Sequence, residues 1–581
     1  MQPILRLSLL AALTLGASPP LQAQERPAPE PPSGRSAEEV VEAQRFMIVT
    51  ANGHATAAGA GMLRRGGSAV DAMVAAQFVL NLVEPQSSGI GGGAFLLYWD
   101  AKSRKLTTFD GRETAPMAAG PDLFLKPDGS PMAFEDAVPG GRSVGVPGTL
   151  ALLELVHRRF GRVSWADLVE PAAALAEGGF EISPRLAGAI ADSSAMLGRF
   201  PAARAYFLGA DGAPRAAGTM LRNPEFAQTL HAIASEGSAP LYRGRLGDAV
   251  VAAVREAPSN PGLLAAADLA RYRVVEREPV CGEYRIYRVC GMGPPSSGGV
   301  AVLQILGLVE HFDMASLGPT VDGFQALLEG SKLAFADRNL YLADPDYVRV
   351  PTRGLLDPGY LTVRAQQIRL DTSVDKAAAG NPPWRQAGIL APDESPGLPG
   401  TSQIVVVDGE GNALSMTTTI ESGFGSSVMV GGFLLNNELT DFSFAPGDGG
   451  RPVANRVEAG KRPRSSMAPT IVFDRGGDPL LLVGSPGGSQ IIGFVAQALV
   501  GVLDWGLAPQ QAVAAGHVLN RNGPTELEAG TEAAALEAAL TARGQKVQVK
   551  QLNSGLHAIQ IAGGRLVSGV DPRREGRAAG E

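Results

Sequence analysis

A threonine that directly follows a glycine-ended loop is the residue of this sequence best suited to nucleophilic chemistry. Residues 375–400 lose periodicity, accumulate Pro, Gly and Asp, and end at Gly400, which predicts a long mobile loop. Thr401 then opens a β-rich run. A threonine hydroxyl needs a base beside it, and the amine of an N-terminal threonine, whose ordinary pKa is about 8, is such a base. The Gly400–Thr401 junction is therefore a candidate self-cleavage site, although the spacing alone also fits an ordinary strand start.

Other chemical motifs are not supported by their context. Gly89-Ile-Gly-Gly-Gly-Ala94 matches a dinucleotide pattern, but it follows a predicted helix and precedes a strand, the reverse of the order that phosphate binding requires. The six histidines are not at zinc-ligand spacing, and the sequence contains no G-x-S-x-G elbow. We therefore expect neither a metal nor an organic cofactor.

The elements that must position Thr401 change in character at residue 400. Upstream, helices dominate, with Ser68, Ser164 and Asn223 as predicted N-caps. The predicted upstream helices cover residues 69–82, 165–176, 224–235, 299–311, 321–342 and 359–369, and the predicted strands cover 94–99, 105–109 and 283–289.

Downstream of residue 400, strands come first. Two β-rich runs flank Asp408-Gly-Glu-Gly-Asn412, a hairpin signal. The predicted strands cover residues 401–407, 413–419, 470–473, 479–483, 546–551, 557–561 and 566–570, and the predicted helices cover 489–502, 508–519 and 531–542. Strands with helices on both sides predict an α/β fold layered as an αββα sandwich.

Composition narrows the class of protein. The chain has 581 residues, of which 45% are hydrophobic and 19% charged, and a formal net charge of -8. This balance is too apolar for a disordered chain and too acidic for a polyanion partner, so we expect neither nucleic acid nor anionic membrane surfaces as partners. The 73 glycines and 43 prolines predict many tight turns, so that loops carry much of the chemistry.

The first 23 residues have the pattern of a secretory signal peptide. Arg6 precedes a short apolar run over residues 9–15, and Leu21-Gln22-Ala23 offers a cleavage point. The apolar run is too short for a membrane-spanning helix. Residues 24–37 are rich in Pro and Ser and predict a disordered leader. We expect a mature protein that is periplasmic or secreted and has no membrane span.

An exported protein with two cysteines raises the question of a disulfide. Residues 283–289, between Cys281 and Cys290, are predicted as one strand, which would hold the two Cα atoms about 30 Å apart. A disulfide requires less than about 7 Å. We therefore predict two unpaired thiols.

Several longer motifs, taken together and in order, resemble the gamma-glutamyltranspeptidase family over nearly the whole mature chain. Upstream they are Arg65-Gly-Gly-Ser-Ala-Val-Asp-Ala72, Glu84-Pro-Gln-Ser-Ser-Gly-Ile-Gly-Gly-Gly93, Gly145-Val-Pro-Gly148 and Pro295-Ser-Ser-Gly-Gly299. Downstream they are Leu434-Leu-Asn-Asn437, Thr440-Asp-Phe442, Lys461-Arg-Pro-Arg-Ser-Ser-Met467 and Gly484-Ser-Pro-Gly-Gly-Ser489.

The resemblance implies a four-layer N-terminal-nucleophile hydrolase made as one precursor. Such a precursor would cut itself before Thr401 into a large subunit, residues 38–400, and a small catalytic subunit, residues 401–581, which stay intertwined. Thr401 would be the nucleophile, supported by Thr419. Gly487 and Gly488 match the glycines whose amides form the oxyanion hole. The simpler interpretation of these two glycines is a strand-to-helix turn.

The resemblance also implies how a γ-glutamyl group would be recognised. Its α-carboxylate would meet Arg112, whose guanidinium can grip a carboxylate with two parallel bonds, and the hydroxyls of Ser465 and Ser466. The family positions that hold the α-ammonium fall on Glu421, Glu438 and Asp441. For any one of these charges, a solvated ion pair is the alternative interpretation.

Three features depart from the family pattern. Thr401-Ser402-Gln403 stands where the family usually has Thr-Thr-His. Glu421 occupies a position that is more often Asn, and Glu recurs there in relatives with altered acceptor use or acylase activity. Residues 443–460, where many members carry a lid, are short and contain neither Tyr nor Trp. The balance between hydrolysis and transfer stays open.

The activity implied is cleavage of the γ-glutamyl amide of glutathione and related compounds. A threonine acyl-enzyme would pass the group to water, an amino acid or a short peptide. A cephalosporin (glutaryl) acylase is the nearest alternative, since it would keep Thr401 and Arg112 but need no ammonium site. An exported binding protein with a decayed enzyme fold is the alternative of another class, and it would have no need of the self-cleavage.

Overall fold

The computed structural model describes residues 34–36, 39–385, 390–393 and 400–581. The predicted signal peptide, most of the predicted leader and parts of the loop before Thr401 lie outside these residues. Of the leader, Arg35 contacts Glu528 and the amide of Ser36 donates to the carbonyl of Pro572. Of the loop, residues 375–385 and 390–393 contain no helix and no strand beyond one isolated bridge.

Thr401 begins a central strand of a seven-stranded antiparallel sheet, here called the Thr401 sheet. The two strands predicted on either side of the Asp408–Asn412 turn are confirmed at both ends. The Asp408 carboxylate closes this turn by accepting from the amides of Glu410 and Asn412. In spatial order the strands are Arg577–Gly580, Met47–Thr50, Thr401–Val407, Ala413–Thr419, Gly93–Asp100, Lys105–Gly111 and Val275–Arg277.

A second seven-stranded antiparallel sheet packs against the first. The predicted strands near residues 470, 480, 558 and 567 are confirmed here within one or two residues. In spatial order the strands are Glu42–Ala43, Arg565–Val570, His557–Ala562, Pro479–Gly484, Thr470–Phe473, Tyr287–Gly291 and Val280–Tyr284.

Alternating side chains of the Thr401 strand face two different cores. Ile404 and Val406 pack into a core shared with the N-terminal helices. Val405 and Val407 pack into the core between the two sheets, which continues into the helices on the far side of the second sheet. This alternation follows from the two-residue period of a strand. The order helix, sheet, sheet, helix confirms the predicted four-layer αββα fold.

Most predicted helices are confirmed, with caps where the sequence predicts them. Ser68 and Asp71 form a capping box, and Ser164 and Asn223 each accept from a first-turn amide. The α-helices are Gly53–Arg64, Ala69–Val83, Phe134–Ala137, Thr149–Phe160, Trp165–Gly178, Pro184–Asp192, Ser194–Leu197, Pro201–Phe207, Pro224–Glu236, Ala239–Arg243, Arg245–Arg255, Ala266–Arg271, Gly298–Val309, Met314–Leu317, Val321–Tyr341, Thr352–Leu355, Pro358–Ala365, Ile491–Leu503, Pro509–Ala514 and Glu537–Ala542.

Short 3₁₀ turns and small sheets complete the described residues. The 3₁₀ helices are Gly141–Ser143, Glu438–Asp441, Gly488–Gln490 and Glu532–Leu536. The remaining strands are Phe180–Glu181 with Met220–Leu221, Met429–Val430 with Phe433–Leu434, Gly447–Asp448 with Arg451–Pro452, and Val518–Asn520 with Thr525–Glu528 and Val547–Lys550. No helix among the described residues combines the length and the apolar character needed to cross a membrane.

The helix predicted over residues 508–519 is wrong in its second half. It ends at Ala514, and Val518–Asn520 forms a strand instead. The buried side chain of Gln497 causes this change, because it donates to the carbonyl of Gly516 and accepts from the amide of Val518. These bonds satisfy backbone groups that a continued helix would have paired internally.

The prediction of two unpaired thiols is also wrong, because Cys281 and Cys290 form a disulfide with their Cα atoms 4.1 Å apart. The single strand predicted over residues 283–289 is a hairpin in which the two cysteines are directly opposite each other. The hairpin turns at Arg285, whose φ is 58°. No glycine or asparagine marks this turn. Instead, the Arg285 guanidinium anchors it by donating to Asp504 and to the carbonyls of Glu310 and Phe312.

This hairpin leads to a prediction about free thiols and stability. The denatured, non-reduced protein should contain no free thiol, and reduction should release two. The double variant Cys281→Ala with Cys290→Ala should unfold with a free energy lower by about 2–3 kcal/mol, because a short loop loses its cross-link. Thiol titration and urea denaturation measure the two effects, and the reduced wild type should match the double variant. Two free thiols before reduction would contradict the pairing.

Candidate active site

Thr401 lies in a cleft at the end of its sheet. The cleft has a volume of about 470 Å³ when counted to its open mouth. Of the predicted site residues, all except Gly400 and Gly487 line it, and these two adjoin Thr401 and Gly488 in the chain. The lining residues are Arg112, Arg338, Thr401, Thr419, Glu421, Glu438, Asp441, Arg464, Ser465, Ser466, Met467, Gly488, Ser489 and Ile491.

The pairing of two strands sets the surroundings of Thr401. Thr401 is directly opposite Thr419, whose hydroxyl donates to the carbonyl oxygen of Gly400 at 2.5 Å. The same hydroxyl accepts from the amide of Glu421 at 2.7 Å, so its proton is directed to Gly400. A Cβ at position 400 would lie 2.2 Å from the carbonyl oxygen of Glu421, and for this reason only glycine fits before Thr401. On the other side, Arg574 donates to the carbonyl of Thr401 at 3.1 Å.

Gly487 and Gly488 form a tight turn between a strand and a helix. Their φ angles are 135° and 55°, which glycine adopts without strain. A Cβ on Gly487 would lie 2.7 Å from the ring of Phe494. Glycine at position 487 therefore lets the turn pack directly against the Phe494 ring of the core.

Arg112 is fully buried and has all of its guanidinium nitrogens engaged. It follows the strand Lys105–Gly111, and its Nη1 and Nη2 bind the carboxylates of Glu438 and Asp441. Nε donates to the carbonyl of Pro463 at 3.2 Å, and Nη2 also donates to the carbonyl of Arg464. The predicted carboxylate-binding cation and two of the predicted ammonium-binding anions are thus paired with one another.

Glu421 and Glu438 are buried carboxyl groups that each retain an oxygen with no hydrogen-bond partner among the described residues. The other oxygen of Glu421 accepts from Ser422 and Asn437. Burial, followed by the nearby Asp441, raises the pKa of Glu421 well above its ordinary value. Burial also raises the pKa of Glu438 to about 7, against the opposing effect of Arg112. The backbone of Glu421 has a φ of 77°, an uncommon conformation for a residue with a side chain.

Sequence reasoning missed Glu113, a further buried carboxyl group behind Glu438. One of its oxygens lies 3.8 Å from Nη1 of Arg112. Burial and the carboxylate of Glu438 raise the pKa of Glu113 well above its ordinary value. Gly93 makes room for this carboxyl group, since a Cβ there would lie 2.3 Å from it. Its place next to Arg112 in the chain was the signal that could have identified it.

Ser465 and Ser466 present their hydroxyls to the cleft in similar ways. The Ser465 oxygen accepts from the amide of Met467 at 3.1 Å. The Ser466 oxygen accepts from Nη2 of Arg338 at 2.6 Å. Arg338 belongs to the helix Val321–Tyr341 and is the second residue that sequence reasoning missed. The same helix carries other buried charged side chains, Glu329, Lys332 and Asp337, so charge alone does not single out Arg338 in the sequence.

The remaining departures from the family pattern lie outside the cleft lining. Gln403 is buried between strands, where it accepts from the hydroxyl of Thr417 at 2.6 Å and donates to the hydroxyl of Ser415 at 2.9 Å. Residues 443–460 include the exposed hairpin strands Gly447–Asp448 and Arg451–Pro452. Within the ranges that the structure describes, no group of three or more His, Cys, Asp or Glu side chains is arranged to hold a metal ion.

Comparison with known proteins identifies relatives along nearly the whole chain. The family model described as gamma-glutamyltranspeptidase matches residues 55–581. A glutathione hydrolase proenzyme of Bacillus subtilis (strain 168) is 39% identical over 516 residues, which cover 87% of this chain and 85% of that protein. An acylase ACY 1 proenzyme of Pseudomonas sp. (strain SE83) is 36% identical and covers 89% of each chain.

Solved structures agree with this assignment. The cephalosporin acylase from Bacillus halodurans superposes with a TM-score of 0.82 at 27% identity, over 97% of this chain and 99% of the other. The residues matched by the family model include Thr401 and all of the residues that line its cleft. The chain belongs to the gamma-glutamyltranspeptidase family and has its N-terminal-nucleophile hydrolase fold.

Proposed function

We propose that this protein is an exported, self-processing enzyme that cleaves the γ-glutamyl amide bond of glutathione and related compounds. A threonine acyl-enzyme then passes the γ-glutamyl group to water, an amino acid or a short peptide. The signal-peptide pattern of residues 1–23 supports export. The single observation that carries the proposal is a cleft that combines Thr401 with one paired arginine and three acidic side chains.

Processing begins with attack of the Thr401 hydroxyl on the Gly400 carbonyl carbon. The hydrogen bond from Thr419 to the Gly400 oxygen supports this step, because it polarises the carbonyl and stabilises the negative charge that develops there. The peptide C–N bond breaks as the ester forms, and water then hydrolyses the ester. The products are a large subunit ending at Gly400 and a small subunit, residues 401–581, with a free threonine amine.

That amine is the base for turnover. It accepts the proton of the Thr401 hydroxyl as the oxygen attacks the γ-carbonyl carbon of the donor. The amides of Gly487 and Gly488 hold the oxyanion, and the leaving amine takes the proton as the C–N bond breaks. Water or an acceptor amine attacks the resulting ester by the same route in reverse. None of these steps requires a metal or an organic cofactor.

Donor recognition follows from the charges of the cleft. A γ-glutamyl group carries an α-carboxylate and an α-ammonium, which match Arg112 with the two serines and Glu421 with Glu438 and Asp441. Before a donor binds, Arg112 binds Glu438 and Asp441 directly. A bound zwitterion can replace this pairing, because its carboxylate can bind Arg112 while its ammonium binds Glu438 and Asp441. No buried charge is then left without a partner.

A glutaryl acylase remains the second candidate because of the acylase relative and the acylase structure described above. A glutaryl group offers the same carboxylate but no ammonium. It would therefore leave the acidic side chains of the cleft facing an apolar methylene. The three acidic side chains in the lining, Glu421, Glu438 and Asp441, favour the γ-glutamyl donor, because its ammonium gives them a partner.

Processing gives the first test of the proposal. The purified mature protein should show two chains of about 39 and 19 kDa, in proportion to their lengths after loss of the signal peptide. N-terminal sequencing of the smaller chain should begin at Thr401, and Thr401→Ala should stay as one chain because it lacks the attacking hydroxyl. A single uncut wild-type band after long incubation at neutral pH would contradict self-processing.

Thr419 has a matched control in its neighbour. Thr419→Val should slow the appearance of the two chains by about a hundredfold, because it removes the donor to the Gly400 carbonyl. Thr419→Ser keeps that donor and should process far faster. Thr418→Val is the control, since the Thr418 hydroxyl is buried without a partner among the described residues. Equal processing by the two valine variants would remove Thr419 from the mechanism.

Donor choice is tested with γ-glutamyl and glutaryl 4-nitroanilides, which differ only in the α-amino group. The wild type should prefer the γ-glutamyl donor by more than about tenfold in kcat/KM, because a lost charge-assisted contact leaves a buried carboxylate without its partner. Asp441→Asn should reduce that preference, and Arg112→Lys should impair both donors. Asp346→Asn is the control, because it also removes an aspartate charge, one that pairs with Arg277 outside the cleft. It should change neither the preference between the two donors nor the rate on either of them. Equal rates on both anilides would assign the enzyme as an acylase.

Proton release on binding is the third test. With a pKa of about 7, Glu438 is partly protonated at about pH 6.5 before a donor binds. An ammonium beside it favours the ionised form, so binding of L-glutamate should release protons, and the release should fade above about pH 8. Calorimetry in two buffers of different ionisation enthalpy measures the number released. Glu438→Gln should release fewer, and net proton uptake by the wild type would contradict the arrangement.

A further inference from the structure

Arg338 is a buried guanidinium that lines the cleft and, within the described ranges, binds only neutral acceptors. Its Nη2 donates to the hydroxyl oxygen of Ser466 at 2.6 Å, and its Nε donates to the hydroxyl oxygen of Ser297 at 2.9 Å. Its Nη1 donates to the side-chain oxygen of Asn339 at 2.9 Å. A buried cation is normally paired with a carboxylate, so this arrangement needs an explanation.

The other two arginines of the cleft are each neutralised. Arg112 binds Glu438 and Asp441, and Arg464 binds Asp393 at 2.8 Å. Arg338 forms no ion pair with any residue that the structure describes. Burial and the nearby Arg464 lower its pKa, yet a guanidinium keeps its proton in a protein. Asp393 and Asp441 oppose this lowering of the pKa without contacting the guanidinium, so direct contacts with neutral groups, Ser466 among them, hold Arg338 in place.

The contact with Ser466 also decides where that hydroxyl can point. A serine oxygen that accepts from a charged donor directs its own proton elsewhere. The bond to Ser297 holds the guanidinium in place, and Ser297 in turn donates from both its amide and its hydroxyl to the carbonyl of Ser465. Arg338 thus connects the long helix to the segment that carries both predicted carboxylate-binding serines.

We infer that Arg338 is a positioning residue for donor binding, which turns the Ser466 hydroxyl toward the α-carboxylate of the substrate. The inference rests on the proposed function in one respect only, that the substrate carries a carboxylate in this part of the cleft. Both γ-glutamyl and glutaryl donors meet that condition.

The test compares how well the cleft recognises a carboxylate. L-glutamate and 4-aminobutyrate differ only in the α-carboxylate, and each can be measured as an inhibitor of anilide cleavage. The wild type should bind glutamate much more tightly. Arg338→Met should reduce that preference by about tenfold or more and raise KM for the anilide while kcat changes little. General loosening of the cleft would weaken both inhibitors equally.

A double-mutant cycle tests the route through Ser466. In the Ser466→Ala background, Arg338→Met should change KM by less than about threefold, since the hydroxyl it positions is absent. Arg338→Lys keeps the charge but not the fork, and it should lie between the wild type and Arg338→Met. It also serves as the test variant if Arg338→Met does not process.

The control is Arg364→Met. Arg364 is also a buried arginine, but its guanidinium binds Asp337 at 3.3 Å, away from the cleft. This variant should lower thermal stability without changing the preference for glutamate. An unchanged preference in processed Arg338 variants, or additive effects of the Ser466 and Arg338 changes, would overturn the inference. If the wild type cleaves only the glutaryl anilide, the proposed donor is wrong, and KM for that anilide still tests Arg338.

Discussion

The register between the strands Thr401–Val407 and Ala413–Thr419 is the constraint on which the site depends. Because Thr401 is opposite Thr419, the Thr419 hydroxyl donates to the carbonyl of Gly400 and accepts from the amide of Glu421. A slip of one residue would turn every side chain of the strand to the other face. Ile404 and Val405, which pack into different cores, would then each face the wrong core. The hydrophobic pattern of the sandwich therefore fixes the hydrogen bond beside the proposed nucleophile, Thr401.

Charge balance is the second organising principle of the cleft. Buried carboxyl groups outnumber the arginine that contacts them, and the raised pKa values of Glu113, Glu421 and Glu438 are the electrostatic result. Two effects reduce the negative charge of the cleft. Arg112 pairs with Glu438 and Asp441, and the raised pKa values of the other buried carboxyl groups favour their protonated forms. A ligand with both signs of charge can replace these compensations without exposing a charge, whereas a ligand with only one sign cannot. The proposed selectivity for an amino acid head group thus rests on the cost of desolvating charges.

The sequence predicted those parts of the structure that depend on local pattern. The central hairpin, the capped helices and the layered fold are all carried by periodicity and turn residues, and the family motifs identify the residues that line the cleft. The misses have a common cause in long-range contacts. Arg285 makes a tight turn because Asp504 and the carbonyl of Glu310 hold its side chain. The helix Pro509–Ala514 is followed by a backbone carbonyl that accepts from Gln497 of the preceding helix. Glu113 and Arg338 take their surroundings from distant segments, which no local pattern encodes.

The strand Met47–Thr50 lies between Thr401–Val407 and Arg577–Gly580. With the cut proposed before Thr401, a strand of one chain is enclosed on both sides by strands of the other. In the second sheet, Glu42–Ala43 of the first chain forms the edge and pairs with Arg565–Val570 of the second. The two chains could then separate only if both sheets came apart. Folding would be unimolecular in the precursor, but refolding of the mature enzyme would require two chains to meet. The precursor would thus serve as its own assembly template, and a denatured two-chain enzyme would have lost the covalent connection that made its assembly independent of concentration.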